Sequence, residues 1–208
     1  MAKITDIKYQ KNKDRVNIYL DGEFYTGLMT ETLLKNNLKV GDFVDESKIS
    51  KIQTESETSF AFEKALNLLE KKLYFERELR LKLKDKGYLD ETIDIVIAKL
   101  KDYNYINDDL LVKNFISSQG LKSKKEIEFK LKQKGVSDYY IKKHTDEISD
   151  DSEKEKCAKL CAKYAKNKEN TLENFQKTLR YLVGKGFSYE TARMVTINCF
   201  KDIEVNDD

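Results

Sequence analysis

The run Arg15-Val16-Asn17-Ile18-Tyr19-Leu20 alternates polar and apolar residues, the period of a strand with one wet face. Asp21-Gly22 follows, and then Glu23-Phe24-Tyr25-Thr26. Asp-Gly between two such segments predicts a two-residue hairpin, because both turn positions favour positive φ. In that register Ile18 lies opposite Tyr25 and Tyr19 opposite Phe24. An earlier run from Ile4 to Tyr9, followed by Gln10-Lys11-Asn12-Lys13-Asp14, adds a third antiparallel strand. Residues 29 to 58 read as one or two short helices around a turn at Val40-Gly41-Asp42.

From residue 59 onward the pattern is helical, and it repeats. Lys86-Gly87-Tyr88, Lys134-Gly135-Val136 and Lys185-Gly186-Phe187 share one signature, with the glycines 48 and 51 residues apart. Four residues before each glycine stands Leu83, Leu131 or Leu182; six after it stands Ile93, Ile141 or Ala192. The period is that of a repeat of two or three helices. An amphipathic helix runs to the leucine and stops at the glycine, which supplies the left-handed residue that closes a C-terminus. Tyr88, Val136 or Phe187 then folds back on the finished helix, and a new helix starts near Asp90, Ser137 or Ser188. Ser123 with Glu126, and Asn170 with Glu173, read as capping boxes opening the preceding helices; the first repeat has Tyr74-Phe75 there instead.

No unit of this kind buries its apolar stripe alone, so neighbours should stack. The expected architecture is mainly α: tandem three-helix repeats in a curved array, with a small N-terminal antiparallel β-hairpin lobe. The divisions are a lobe with short helices over 1–58, repeat one over 59–108, repeat two over 109–150, and repeat three with an acidic tail over 151–208. Ser149-Asp150-Asp151-Ser152 reads as a flexible joint, and the tail Glu204 to Asp208 as frayed.

Composition sharpens this picture in one respect. Over 208 residues, 37% charged side chains against 39% hydrophobic ones leave room only for small cores with much solvated surface. The absence of Pro and the presence of only 8 Gly favour helices joined by short connections. Met1-Ala2-Lys3-Ile4 lacks the apolar run of a signal peptide, no stretch approaches the length of a membrane span, and 3 Cys are too few for a secreted disulfide framework. A cytoplasmic monomer without membrane contact is expected.

Candidate chemistry is sparse. The single His, His144, has no evident Ser or Cys partner and reads as an ordinary helix residue. There is no GxxxxGK[ST] or GxGxxG phosphate loop, and the acidic residues alternate with lysines as on solvated helix faces. Cys157 and Cys161 stand one helical turn apart, but a zinc site needs about four ligands. Their face continues through Leu160 and Tyr164, so they and Cys199 read as core. No catalytic residue, cofactor or metal is assigned, and the chain is read as a non-enzyme.

The informative feature is local charge. The chain carries a net charge of only +2, yet Lys122, Lys124, Lys125, Lys130, Lys132 and Lys134 crowd one window with only Glu126 and Glu128 among them. Lys154, Lys156, Lys159, Lys163, Lys166 and Lys168 crowd a second, with Glu155 alone. Stacked repeats would bring both windows to one stripe suited to a phosphate backbone or an acidic protein groove. Solubilising helix faces are the other reading of the same lysines. Neither window shows the basic–aromatic interleaving that stacks unpaired bases.

Leu79-x-x-x-Leu83-x-x-Lys86-Gly87-Tyr88-x-x-x-x-Ile93-x-x-Val96-x-x-x-Leu100, followed by Tyr103-Asn104-Tyr105-Ile106-Asn107-Asp108, resembles the first repeat and junction of the RecX family. Asn107 or Asp108 there can cap the helix carrying Leu111, Phe115 and Ile116. Lys134-Gly135-Val136 and Leu182-Val183-Gly184-Lys185-Gly186-Phe187 resemble the family's later repeats, and Val16 to Phe24 the strand lobe of its longer members. The chain departs from the pattern at Tyr74-Phe75, Thr178 and Ala192. The resemblance implies a regulator of recombination, DNA repair and the SOS response. Such a protein binds the RecA filament and limits its growth, ATPase and strand exchange, and some members also contact single- or double-stranded DNA. Two other readings stay open: a helical nucleic-acid-binding protein with no recombinase partner, and a general protein-interaction scaffold.

Overall fold

A computed structural model describes residues 1–11 and 13–200. The expected acidic tail, Glu204 to Asp208, lies outside the described residues. The chain forms two compact units, Met1–Ile106 and Asn107–Asp208.

The first unit opens with strands β1 (Ala2–Tyr9), β2 (Arg15–Leu20) and β3 (Glu23–Met29), then helix α1 (Thr30–Lys35), strand β4 (Phe43–Val44) and helices α2 (Glu46–Leu69), α3 (Glu76–Lys84) and α4 (Asp90–Asp102). The antiparallel sheet has the order β3-β2-β1-β4. Asp21 and Gly22 take φ of 47° and 92°, as a two-residue hairpin requires. Tyr19 pairs with Phe24 as expected, but Ile18 pairs with Thr26, not Tyr25, across a register shift. The physical reason is the core. Without the shift Gly27 would face Val16 and Leu28 would point to water; the extra residue Tyr25 turns Thr26 and Leu28 inward, where both are buried.

Two further corrections fall in this unit. The segment 29–58 holds α1 but also a fourth strand, β4, which adds Phe43 and Val44 to the edge of β1. Helix α2 then continues unbroken through residues 58 and 59. Its first half packs Ile49 and Ile52 on Ile4, Val16, Ile18 and Leu28 of the sheet. Its second half packs Ala61 and Ala65 on Leu79, Leu83, Ile93, Val96, Ile97 and Leu100 of α3 and α4. One helix thereby serves two cores.

The second unit comprises α5 (Asp108–Ser117), α6 (Lys124–Gln133), α7 (Asp138–Thr145), α8 (Asp150–Ala165), α9 (Leu172–Gly184) and α10 (Tyr189–Cys199). With the latter part of α2, α3 and α4, this makes three successive three-helix repeats, and no strand follows β4 among the described residues. Gly87, Gly135 and Gly186 all take positive φ, at 88°, 76° and 89°. After each, the next backbone N–H donates to the carbonyl of the leucine five residues back: Tyr88 to Leu83, Val136 to Leu131 and Phe187 to Leu182. Each glycine N–H also reaches the carbonyl three back. That pair of bonds is the Schellman closure. Burying each leucine contributes about 1.5–3 kcal/mol, against about 1 kcal/mol for a cap, so the stripe holds the helices and the caps set their ends.

Several caps are as expected: Asn107 accepts from Leu110 N, Ser123 from Glu126 N and Ser188 from Thr191 N. Others differ. Helix α9 is capped by Thr171, which accepts from Asn174 N, and not by Asn170. Ser149 is no flexible joint; it caps α8 by accepting from Ser152 N. Phe75 stands at the start of α3 as a buried apolar residue, and its N–H is taken by Glu78 Oε2 at 3.2 Å. Thr178 and Ala192 are fully buried, and the Thr178 hydroxyl donates to the carbonyl of Asn174.

Candidate partner-binding surface

Cys157 and Cys161 lie in the core of the third repeat with Leu182, Phe187, Ala192 and Val195. Burial pushes the Cys157 thiol up to about 11 and raises Cys161 as well, so both stay protonated and unreactive. Cys199 is exposed, a correction to its reading as core. It ends α10, with its thiol close to that of Cys161. Among the described residues no group of three or more His, Cys, Asp or Glu side chains is placed to hold a metal. His144 is more than an ordinary helix residue: it is buried, with Nε2 at 2.7 Å from Asp109 Oδ1.

The structure sorts the twelve lysines sharply. Lys124 pairs with Asp146 at 2.8 Å, Lys130 with Glu126 at 3.1 Å and Lys132 with Asp138 at 3.3 Å. Lys154 pairs with Asp151, Lys156 with Glu153 and Lys159 with Glu155. Lys122 is half-buried and donates to Gln119 Oε1, and the neighbouring Lys130 ammonium holds it below its ordinary value. Lys134 lies over the Phe115 ring and Lys168 over the Tyr164 ring, the latter at 3.2 Å from its centroid. Lys125, Lys163 and Lys166 are exposed and make no ion pair among the described residues.

Two features join the clusters within this unit. Glu153 Oε1 accepts from the backbone N–H of Lys124 at 3.0 Å and lies 3.7 Å from the Lys156 ammonium, so the windows meet there. The second is Lys185, which charge counting along the chain passes over because it stands outside both windows. The carbonyl of Lys185 accepts from the buried Ser123 hydroxyl at 2.6 Å, docking the closing turn of α9 onto the start of α6. A depression of about 340 Å³ opens beside this seam, lined by Lys125, Phe129, Val183, Gly184 and Lys185. Phe129 is 60% exposed. Lys185 also lies over Tyr181, which stacks on Tyr164 at 3.9 Å between centroids and 4° between planes. Lys168, Tyr164, Tyr181, Lys185, Lys125 and Phe129 thus form a run of cations and rings that no linear window contains. The hints in the sequence are the i, i+4 placements of Lys125 with Phe129, Tyr164 with Lys168 and Tyr181 with Lys185.

Comparison with known proteins adds an independent line. Residues 2–45 match the family model "Regulatory protein RecX N-terminal domain". Residues 61–100 match "RecX, first three-helix domain" and residues 151–196 match "RecX, third three-helix domain". Regulatory protein RecX of Clostridium beijerinckii is 35% identical over 202 residues, covering 94% of each chain. That of Clostridium botulinum strain Alaska E43 is 33% identical over 204 residues, covering 94% of this chain and 95% of the relative. A crystal structure of regulatory protein RecX superposes with a TM-score of 0.73 at 28% identity, covering 94% of this chain and 98% of the other. RecX from Lactobacillus salivarius superposes with a TM-score of 0.63 at 26% identity, over 68% of this chain and 96% of that one.

Proposed function

We propose, from the premise that this chain belongs to the RecX family of regulatory proteins, that it binds the RecA recombinase filament on DNA and restrains its ATPase and strand exchange. It acts by occupying a surface, in the cytoplasm and as a monomer, and not by catalysis. The observation that carries this reading is the cationic surface of the Asn107–Asp208 unit, where the two lysine windows meet at Glu153 and are linked through Lys185. The ion pairs made by Lys124, Lys130, Lys132, Lys154 and Lys159 are partly or largely exposed, and such pairs hold by about 0–1 kcal/mol each, whereas the Lys156–Glu153 pair is mostly buried. The exposed pairs can be exchanged for phosphates or for acidic side chains of a partner. The unpaired Lys125, Lys163 and Lys166, with Lys185, are free to act first.

The test is the DNA-dependent ATPase of the cognate recombinase on single-stranded DNA, titrated with wild type and with Lys125, Lys163, Lys166 and Lys185 reversed to Glu. These four positions make no ion pair among the described residues, whereas reversing Lys124 or Lys156 would also disturb Glu153. Weakened inhibition is expected, greatest at low salt, where screening is least. A well-folded variant that inhibits like wild type at every salt concentration sinks the reading. The exposed Phe129 between two lysines favours one second reading, a binder of bare single strands with no recombinase partner. Salt-steep binding to bare strands, with no effect on the recombinase, would select it.

A further inference from the structure

Among the described residues, one buried side-chain polar atom has no hydrogen-bond partner: Nδ1 of His144. His144 lies on α7 and is 8% exposed. Its Nε2 is 2.7 Å from Asp109 Oδ1 on α5. Lys143 and His144 hold the Asp109 carboxyl below its ordinary value, so it is ionised and only accepts. Nε2 therefore carries a hydrogen that Asp109 accepts, while Nδ1 has no partner within hydrogen-bond distance. A buried polar atom without a partner is uncommon enough to require an explanation.

The surroundings supply one. The nearest group beyond Nδ1 is Glu147 Oε2 at 4.0 Å, too far to bond, on a side chain 67% exposed. His144 and Glu147 line a cavity of about 380 Å³. Its other walls carry Lys113 and Ser117 from α5, and Ser149, Ser152 and Lys156 at the start of α8. Helix α8 is 16 residues long, and the first N–H groups of such a helix lack intrahelical acceptors. Two lysines, three serines and a helix start line one space with His144, the Lys156 ammonium lying also 3.7 Å from Glu153 Oε1. Opposing charge is present but engaged or movable. Glu153 is taken by Lys156 and by the N–H of Lys124, Asp151 is paired with Lys154, and Glu147 is free to swing outward.

We infer that this cavity is an oxyanion site that takes a phosphate group, and that phosphate binding is accompanied by uptake of a proton from solvent at His144 Nδ1. The imidazolium so formed is held on both edges, by Asp109 at Nε2 and by the bound oxyanion at Nδ1. Without the oxyanion no acceptor stands within hydrogen-bond distance of that second proton. The charged groups around the ring are Asp109 and Lys113 from α5, Lys143 and Glu147 from its own segment, and Lys156 from α8. The phosphate could belong to a free nucleotide or to a nucleic-acid backbone; both present the same oxygens. Lys156 belongs both to this cavity and to the second lysine window.

His144 is the only histidine in the chain, so its imidazole nitrogen signals need no assignment. The experiment is nitrogen NMR of the ¹⁵N-labelled full chain at near-neutral pH, titrated with inorganic phosphate and, at matched ionic strength, with chloride. Phosphate should move Nδ1 saturably from the bare to the protonated region, and chloride should not. Lys113→Gln with Lys156→Gln, both at solvent-reachable positions, should weaken the effect about tenfold or more, the scale of a lost charge-assisted contact. Saturation by a nucleoside monophosphate but not by an oligonucleotide lacking terminal phosphates assigns the group to a free ligand; saturation by both assigns it to a backbone. The inference is overturned if Nδ1 does not respond to phosphate, or responds equally to chloride. It is also overturned if Nδ1 protonates on acidification alone and Glu147→Gln abolishes that, because Glu147 would then be the acceptor.

Discussion

Gly186→Ala should cost far more stability than an exposed turn glycine ordinarily does. Gly186 has a φ of 89°, and a Cβ built there would stand 2.7 Å from Ser123 Oγ, 3.3 Å from Lys125 Cβ and 3.5 Å from the backbone N of Glu126. The positive φ alone costs an alanine about 1–2 kcal/mol. The Ser123 hydroxyl cannot simply retreat. It is fully buried, donates to the carbonyl of Lys185 at 2.6 Å and accepts from Glu126 N at 3.1 Å. Displacing it leaves buried groups unpaired, at about 1–3 kcal/mol more. The expected loss is therefore about 2–5 kcal/mol.

A double-mutant cycle with Ser123→Ala separates the two causes. In the Ser123→Ala background the hydroxyl is gone, so Gly186→Ala should cost only the backbone strain, and the coupling should be about 1 kcal/mol or more. All four proteins differ only within the Asn107–Asp208 unit, so their losses are compared at the urea transition of that unit, followed by circular dichroism with the m-value as a check. Gly87→Ala, read at the transition of the Met1–Ile106 unit, is a control: φ is 88° there, and nothing lies within 4 Å of the added Cβ. Additive losses in the cycle, or equal losses at Gly87 and Gly186, would refute the reasoning.

Further outcomes follow from the charges and thiols. Burial pushes the Glu76 carboxyl up, but Lys101 and Arg80 outweigh it and hold Glu76 below its ordinary value. A depressed folded-state value stabilises above the unfolded value of about 4.3 and loses that contribution as pH falls through the folded one. Wild type should therefore lose stability in acid more steeply than Glu76→Gln, and parallel acid limbs in pH-dependent melting would contradict this. Of the 3 thiols, exposed Cys199 should react first with a thiol-exchange reagent at mildly alkaline pH, while Cys157 and Cys161 react only on denaturation. Three equal rates in the native protein would show that the third-repeat core opens readily. Phe129→Ala should leave stability nearly unchanged, because the ring is 60% exposed, yet weaken binding to whatever partner occupies the seam. A large fall in melting temperature would mean that the ring supports the fold.

Much of this chain was legible because it is decided over short distances. The Asp21-Gly22 turn needs two positive φ values that Asp and Gly tolerate. The closures at Gly87, Gly135 and Gly186 are backbone bonds within six residues, and Ser123, Ser188 and Asn107 cap helices three residues away. A leucine four residues before a glycine carries that information in its spacing. Composition, likewise, needs no fold to exclude a phosphate loop or a membrane span.

What only the tertiary structure decided depends on residues far apart in the chain. The shift that pairs Ile18 with Thr26 follows from which face of β3 meets the core, and so from helix α2 packed against it. The edge strand β4 exists because β1 offers it backbone partners some forty residues earlier in the chain. Twelve lysines counted along the sequence look alike; Lys124, Lys130, Lys132, Lys154, Lys156 and Lys159 turn out to be paired with acids, and Lys185, outside both windows, bridges them from 62 residues beyond Ser123. His144 read as an ordinary helix residue because its partner, Asp109, and its cavity wall, Ser149 to Lys156, come from different helices. Local backbone energetics write the helix ends into the sequence, whereas charge pairing and buried-polar satisfaction are set by proximity, which exists only once the helices have packed.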